Sequence, residues 1–269
     1  MRRLSVFVSV LALCAAGIAG AADYKPELSQ SGKDVVWVPT PEALVNTMLD
    51  LAKLVTDDYL IDLGSGDGRL VMMAAKRGAR AHGIEYNDKL LAYSARQAKE
   101  AGLADKVTFA KADFFDTDLS AASVITLFLS PEINLKLRPK LMNLKPGTRV
   151  VSNTFNMGDW APDDKAVSSD EARSVYYRHA LLWVVPAKVN GAWQSPQGRL
   201  RLIQRYQKIE GTLQVKGKVM PIANAALRGD RISFNVGDAR YSGIVKDNVM
   251  EGTVTQGDNA QPWRATHAK

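Results

Sequence analysis

The chain predicts an α/β fold, a mainly parallel sheet interleaved with helices and followed by a small C-terminal antiparallel β meander. Three observations carry that prediction. From Val35 to Gln207, apolar runs of strand length alternate with amphipathic stretches of helical period. One such run, within Tyr59 to Leu70 (YLIDLGSGDGRL), ends in an acid and opens into a turn with glycine at alternate positions. Beyond Lys208 the pattern changes to short alternating runs with regular turn signals.

Pro41 to Leu54 reads as the first helix, with Thr40 as its cap and Pro41 at the first helical position. Tyr59, Leu60, Ile61 and Leu63 make an apolar run suited to a buried parallel strand. Gly64, Gly66 and Gly68 then supply a turn without Cβ atoms, where backbone approaches a ligand closely. Arg69 to Lys76 is the helix behind that turn, with Leu70, Val71, Met73, Ala74 and Ala75 available to pack on the sheet. Arg80 to Glu85 (RAHGIE) reads as the second strand, Asp88 to Ala101 as a helix and Val107 to Ala112 as the third strand. Val124 to Leu129 reads as the fourth strand, Glu132 to Leu144 as a helix, and Thr148 to Thr154 as the fifth strand. His179 to Pro186 and Arg199 to Gln207, joined by VNGAWQSPQG, read as a hairpin that ends the sheet. In the C-terminal stretch Ile232, Phe234 and Val236 alternate, as do Tyr241, Gly243 and Val245, which predicts a meander of about five strands. Its Gly-Asp turns match no EF-hand spacing, so it is expected to pack or to dock substrate rather than to bind calcium.

The chemistry begins at the glycine turn. A dinucleotide fingerprint has the spacing G-x-G-x-x-G and offers a helix N-terminus to a pyrophosphate. Here the spacing is G-x-G-x-G, and Asp62 and Asp67 bracket the loop where they would repel a pyrophosphate. Two carboxylates favour a ligand with positive charge, and S-adenosylmethionine, with a sulfonium and an ammonium against one carboxylate, suits the loop better than a nicotinamide dinucleotide. Glu85 falls at the end of the second strand, where nucleotide folds place an acid on ribose hydroxyls. Asp113 follows the third strand and suits an adenine amino group, with Tyr86 and Phe114 to cover the two faces of the ring. Taken singly, Glu85 and Asp113 also fit as solvated strand-end acids, and the aromatics as core.

Asp62, Gly64, Gly66 and Gly68, then Glu85, then Asp113 resemble the successive cofactor motifs of seven-strand, class I S-adenosylmethionine-dependent methyltransferases. The resemblance covers about Val35 to Gln207, and it implies a Rossmann-like seven-stranded sheet whose last pair is antiparallel. More narrowly, VWVPTPEALVNTMLDLA, DLGSGDGRLV and LKLRPKLMNLKPGTRVVSNTF are similar to small class I protein-lysine methyltransferases, including the group that acts on the c-ring protein of the mitochondrial ATP synthase. That resemblance implies a binding role for Pro39 and Thr40, because the V-P-T segment of the group lies beside the cofactor.

Ligands of such folds sit outside the carboxyl ends of the parallel strands, which puts Ser130, Pro131 and Glu132 on the acceptor side. Asn153, Phe155, Asn156 and Trp160, beyond the fifth strand, are candidate walls. Methyl transfer from a sulfonium is an in-line displacement on an activated donor, so proximity and orientation carry much of the catalysis. A lysine acceptor must be neutral, and a dry pocket lowers its pKa. Ser130 and Glu132 are the catalytic candidates, although Glu132 fits equally as a first-turn helix acid favoured by the dipole.

Met1 to Ala22 carries two arginines, an apolar core and then Ala19, Gly20 and Ala21, the pattern of a secretory signal peptide. The expected organisation is therefore residues 1–22 as signal peptide, 23–207 as the methyltransferase domain and 208–269 as the small β module. Export to the periplasm or medium is expected, or else an uncleaved inner-membrane anchor with the domain outside. The single cysteine, Cys14, leaves with the signal, so disulfide and cysteine-metal functions are excluded from the mature chain. Export conflicts with the cytosolic origin of S-adenosylmethionine, which keeps an exported, non-catalytic adenosine-ligand binder open. An internal start at Met48 would delete the V-P-T segment. Net charge is +7 over 269 residues and +5 without Arg2 and Arg3. Lys136, Arg138, Lys140 and Lys145 cluster after the fourth strand and suit an acidic partner or lipid headgroups, or simply a solvated helix face. No nucleic-acid motif accompanies them. His82, His179 and His267 lie far apart, so no metal site is expected. The expected activity is methylation of a nitrogen on a protein side chain, with a small-molecule acceptor next and a nicotinamide oxidoreductase as the rival class.

Overall fold

Alternation between apolar strands and amphipathic helices produces a seven-stranded sheet. The computed structural model describes residues 24–168 and 177–268. The expected signal peptide therefore lies outside the described residues. Strands β1 (Tyr59–Leu63), β2 (Arg80–Glu85), β3 (Val107–Lys111), β4 (Val124–Leu127), β5 (Arg149–Asn153), β6 (Asp164–Val167) and β7 (His179–Val184) form that sheet. Helices α1 (Glu42–Leu51), α2 (Arg69–Lys76), α3 (Asp88–Glu100) and α4 (Pro131–Leu141) cover it. The strand order is β3-β2-β1-β4-β5-β7-β6. β1 pairs in parallel with β2 and β4, β2 with β3 and β4 with β5, whereas β7 runs antiparallel between β5 and β6. The order reverses at β1 and β4, and ligands of open α/β sheets bind beyond the carboxyl ends of strands at such a switch point.

Each inner strand is buried on both faces, so the sheet separates two cores. Leu60, Ala81, Val124, Val151 and Leu182 face α1, α2 and the Ala98 end of α3. Ile61, Leu63, Ile84, Ile125, Leu127, Val150 and Trp183 face the other way, against Ile133, Leu137 and Leu141 of α4. At the start of α1, Pro41 is the N-cap with φ −56° and ψ 142°, and no side chain caps the helix. The expected Thr40 cap therefore does not form, and the Thr40 hydroxyl is used elsewhere.

The expected closing hairpin is also corrected. β7 enters the first sheet, but its expected partner, β9 (Gly198–Arg205), belongs to a second sheet. The reason lies in the periodicity. β7, HALLWV, is almost continuously apolar and fits an inner strand covered on both faces, whereas β9, GRLRLIQR, alternates and fits a strand with one wet face. The place beside β7 is taken by β6, DKAV, a short polar edge strand.

The second sheet is larger than the expected meander. It adds β8 (Gly191–Ser195), β10 (Lys208–Val215), β11 (Lys218–Pro221), β12 (Ala223–Arg228), β13 (Arg231–Val236), β14 (Ala239–Lys246), β15 (Val249–Gln256) and β16 (Asn259–His267) to β9. All nine strands are antiparallel, in the order β11-β10-β9-β8-β16-β15-β14-β13-β12. Two-residue turns set the hairpins: Lys216 and Gly217 both take positive φ, +47° and +81°, the turn that matches strand twist. The sheet wraps into a nearly closed barrel, since β10 touches β12 and the Ile222 N–H donates to the Gly211 carbonyl at 2.9 Å. Trp193, Leu200, Leu202, Phe234, Tyr241 and Trp263 fill it.

The two sheets are fastened together by specific contacts. The Ala187 N–H donates to the Gly229 carbonyl at 2.8 Å, and Arg228 pairs with Asp164 at 2.6 Å. Asp159 accepts from the Tyr206 hydroxyl at 2.9 Å and pairs with Arg205, while the Tyr206 ring stacks on buried Trp160. Trp160 is therefore core, and not a wall of the acceptor side. No helix among the described residues is long and apolar enough to cross a membrane.

Candidate active site

At the carboxyl ends of β1, β2, β3 and β4 a crevice of about 900 Å³ opens to solvent. Its floor is the turn after β1. Gly64, Gly66 and Gly68 all adopt left-handed φ, +74°, +56° and +75°, which only glycine takes without strain. The Gly64 and Ser65 N–H groups both donate to the Ile84 carbonyl, at 2.9 and 3.0 Å, and this pulls the turn across β2. Gly64 and Gly66 line the crevice. Gly68 does not: a Cβ there would strike Ser94 and Phe109 at 2.7 and 2.8 Å, so its role is to let α2 pack.

Asp62 is buried at the centre of the site, and Thr126, its register partner on β4, donates a hydroxyl to it at 2.7 Å. Burial pushes its carboxyl up to about 7; the Thr126 hydrogen bond opposes this, and the Glu85 and Asp67 carboxylates add to it. Among the described residues no cation pairs with Asp62. Asp67 differs, because its carboxylate is tied to Arg69 at 2.6 Å. The expected pair of loop acids therefore offers one uncompensated carboxylate, Asp62, since Arg69 neutralises the other. The Glu85 carboxylate accepts from the Gly66 N–H at 2.9 Å and the Asn87 N–H at 2.8 Å, clamping the two loops that follow β1 and β2 while still facing the crevice.

Tyr86, Asp113 and Phe114 complete the far wall. The Tyr86 ring is 49 % exposed, with Lys33 Nζ 5.2 Å from its centroid. Lys33 also pairs with Asp113, and this contact, helped by the Phe115 N–H, holds the Asp113 carboxyl below its ordinary range. Opposite, residues from Gly32 to Thr40 run along the mouth of the crevice. Trp37 exchanges backbone hydrogen bonds with Ser29 and Gln30 at 2.9 Å, and its indole lies over Gly66 where a Cβ would meet it at 2.4 Å. Thr40 is held at both ends: Asn153 Nδ2 donates to its hydroxyl at 3.1 Å, and Arg69 donates to its carbonyl at 3.1 Å. This strap thus joins β5 to the glycine turn.

Of the expected site residues, Thr40, Asp62, Gly64, Gly66, Glu85, Tyr86, Asp113 and Phe114 line one crevice. Ser130 and Glu132 do not. The Ser130 hydroxyl is the N-cap of α4 and accepts from the Ile133 N–H, and Glu132 is an exposed first-turn acid whose carboxyl that hydroxyl holds below its ordinary range. Two cations of the expected basic cluster are used internally: Lys140 donates to the Phe114 and Phe115 carbonyls and Arg138 pairs with Asp159. Lys33, Trp37, Thr126 and Phe128 of the crevice were not anticipated; Thr126, a hydroxyl in the apolar run VITL opposite Asp62, carried the one readable signal.

The residues fit a cationic sulfur nucleoside. An unpaired buried acid faces the glycine turn, a second acid ends β2, and a third acid with two aromatic rings follows β3. A buried hydroxyl, Ser65 Oγ, stands in the same turn with no partner.

Comparison with known proteins gives the same direction. Residues 62–164 match the family model described as the ANTKMT methyltransferase domain, which ends before the second sheet begins. A protein-lysine N-methyltransferase of Saccharolobus islandicus is 42% identical over 133 residues, covering 48% of this chain and 83% of that protein. A lysine N-methyltransferase of Caenorhabditis elegans, named for the c-ring protein of ATP synthase, is 30% identical over 154 residues, covering 54% of this chain and 81% of that protein. Among solved structures, an RNA methyltransferase from Salinibacter ruber in complex with S-adenosyl-L-homocysteine is 45% identical and superposes with a TM-score of 0.52, over 56% of this chain and 96% of that one.

Proposed function

Because the chain belongs to the class I S-adenosylmethionine-dependent methyltransferases of the protein-lysine group, we propose that it methylates the side-chain nitrogen of lysine in a protein. The observation that carries this reading is the 42% identity to a protein-lysine N-methyltransferase over 83% of that protein's length, a stretch long enough to hold the whole crevice.

When bound, S-adenosylmethionine supplies an activated methyl group on a sulfonium. The protein's part is to hold and orient. Asp62, unpaired and buried, meets the positive charge of the methionine portion. Glu85 retains lone pairs for ribose hydroxyls beyond the two N–H groups it already accepts. Asp113 takes the adenine amino group, between Tyr86 and Phe114. The strap from Gly32 to Thr40 narrows the entrance and limits water. A lysine amine must arrive neutral, and its proton leaves to solvent before the nitrogen attacks.

The Met1 to Ala22 pattern supports a further part of the same reading, that the mature chain works outside the cytoplasm, in the periplasm or the medium or held at the inner membrane. One experiment tests activity and compartment together. The full-length protein is incubated with methyl-labelled S-adenosylmethionine and, separately, with envelope and cytoplasmic extracts; each product is split by protease or ribonuclease treatment and hydrolysed to amino acids. Label recovered as methyl-lysine from envelope protein is expected. Label in RNA or in small molecules would overturn the lysine reading, label only in cytoplasmic protein would overturn export, and tight donor binding without any label would leave a non-catalytic binder.

A further inference from the structure

Beside the cofactor crevice, at the carboxyl ends of β4 and β5 and the start of β7, three aromatic rings meet. Phe128 follows β4 and lines the crevice itself, Phe155 follows β5, and Tyr177 precedes β7. The Phe128 and Phe155 rings lie nearly parallel, with centroids 6.1 Å apart and 19° between planes. Tyr177 stands edge-on to both, 5.2 Å from Phe128 and 6.4 Å from Phe155. All three are only partly buried, unlike Trp160 and Trp183 of the adjoining core, which are fully buried.

The loop that carries Phe155 is held in a costly conformation. Thr154, a β-branched residue, adopts φ +63°, in the region such side chains rarely enter. It is fixed there by its N–H to the His179 carbonyl at 2.7 Å and by its hydroxyl to Asn153 Oδ1 at 2.9 Å. From α4, fully buried Asn134 donates to the carbonyls of Phe155 and Asn156, each at 3.2 Å. Strain that several elements enforce together, beside a crevice, marks a position where the side chain's direction matters.

We propose that Phe128, Phe155 and Tyr177 form the subsite that receives the acceptor nitrogen, an aromatic wall that prefers an alkylammonium over a neutral group of the same shape. The inference rests on the lysine reading and names the part of the site that selects the acceptor. Ring faces attract a desolvated cation, and a methylated ammonium, being less hydrated than a primary one, loses less on leaving water. The wall adjoins the donor side of the crevice through Phe128, so the nitrogen it holds is delivered beside the methyl group. There the ammonium first loses a proton to solvent. The nitrogen lone pair then forms the bond to the methyl carbon, the carbon–sulfur bond breaks with its electron pair going to sulfur, and the positive charge passes from sulfur to nitrogen.

The test uses the full-length protein saturated with S-adenosylhomocysteine and two probes, acetyl-trimethyllysine-amide and its neutral isostere with carbon in place of nitrogen. Titration followed by NMR is expected to show the cation binding about tenfold more tightly than the isostere. Phe155→Leu and Tyr177→Leu are each expected to cut that preference to less than about threefold, with S-adenosylhomocysteine affinity unchanged as the control for folding. Equal binding of the two probes by the parent protein, or a preference that survives in both variants, would overturn the proposal. The outcome separates from that of the lysine reading: methyl-lysine formed without a cation preference rejects the wall alone, whereas a cation preference without methyl-lysine rejects the lysine reading alone.

Discussion

The two ends of β1 hold the same residue type in the same degree of burial and treat it oppositely. Asp58, just before the strand, is 4% exposed, and Asp62, near its end, is 6% exposed. Asp58 accepts from the Val55 N–H at 2.8 Å and the Ser123 hydroxyl at 2.7 Å, and it pairs with Arg149, which also donates to the Ala52 and Lys53 carbonyls at the end of α1. Burial alone would raise its pKa, yet these partners together bring it below the ordinary value. Asp62 has the Thr126 hydroxyl, and burial wins. At the amino end of the strand a buried charge is compensated by the protein and ties β1, β5 and α1 together. At the carboxyl end the compensation is left to a ligand.

The largest effect is expected where the protein supplies its own counter-charge. Arg149→Met leaves Asp58 buried without a cation and should cost about 3 kcal/mol in urea unfolding, with S-adenosylhomocysteine affinity of the folded protein unchanged. Loss of that affinity in step with stability would show that the two ends are not separable.

Asp62→Asn should act in the other direction, because it removes a charge that nothing in the protein balances. A folded pKa of about 7 means that Asp62 binds its proton more tightly in the folded chain, so its cost is absent below about pH 4, grows as pH rises, and is complete above about pH 7. Asparagine keeps a carbonyl oxygen for Thr126 and should therefore stabilise the unliganded protein at pH 8, by up to about 4 kcal/mol, with the gain vanishing near pH 4. The same change should weaken S-adenosylmethionine binding at least about tenfold. In the parent protein, affinity for S-adenosylmethionine should fall by about tenfold per pH unit below 7, as binding comes to require loss of one proton. Calorimetry across pH 5 to 8 reads both quantities; a destabilised variant at pH 8, or flat affinity, would break the contrast.

The same contrast explains how much of the molecule was readable in the sequence. Strands β1 to β3 were legible because parallel strands buried on both faces are continuous apolar runs, and the acids Asp62, Glu85 and Asp113 stand out at or just beyond their ends. Edge strand β6 was not, because DKAV has few apolar contacts to encode. The boundary between the sheets was misplaced because β8 and β9 were read by their position after β7, although the alternation in GRLRLIQR already matched the strands beyond Lys208. Lys33 on Asp113 and Trp37 over Gly66 are contacts across the crevice, set by how the strap crosses it, and no local spacing announces them. Arg69 beside Asp67 was adjacent enough to be read, and a charge count of the loop that omitted it overstated the acidity of the site.

The smallest effects should appear in a matched pair of single hydroxyls, one at each end of β1. Ser123 donates to Asp58 and accepts from the Tyr59 N–H at 3.0 Å; Thr40 accepts from Asn153 across the strap and lines the crevice. Removing either hydroxyl leaves a buried partner unsatisfied and should cost about 1 kcal/mol of stability. Ser123→Ala should stop there, with S-adenosylhomocysteine affinity unaltered. Thr40→Val, which keeps the shape of the side chain but frees the strap from β5, should in addition weaken that affinity about fivefold, since the nine crevice residues from Gly32 to Thr40 lose their fixed end. Equal affinity in the two variants would mean that the strap is held by Trp37 and Lys33 alone, and that the carboxyl end of β1 depends on β5 no more than the amino end does.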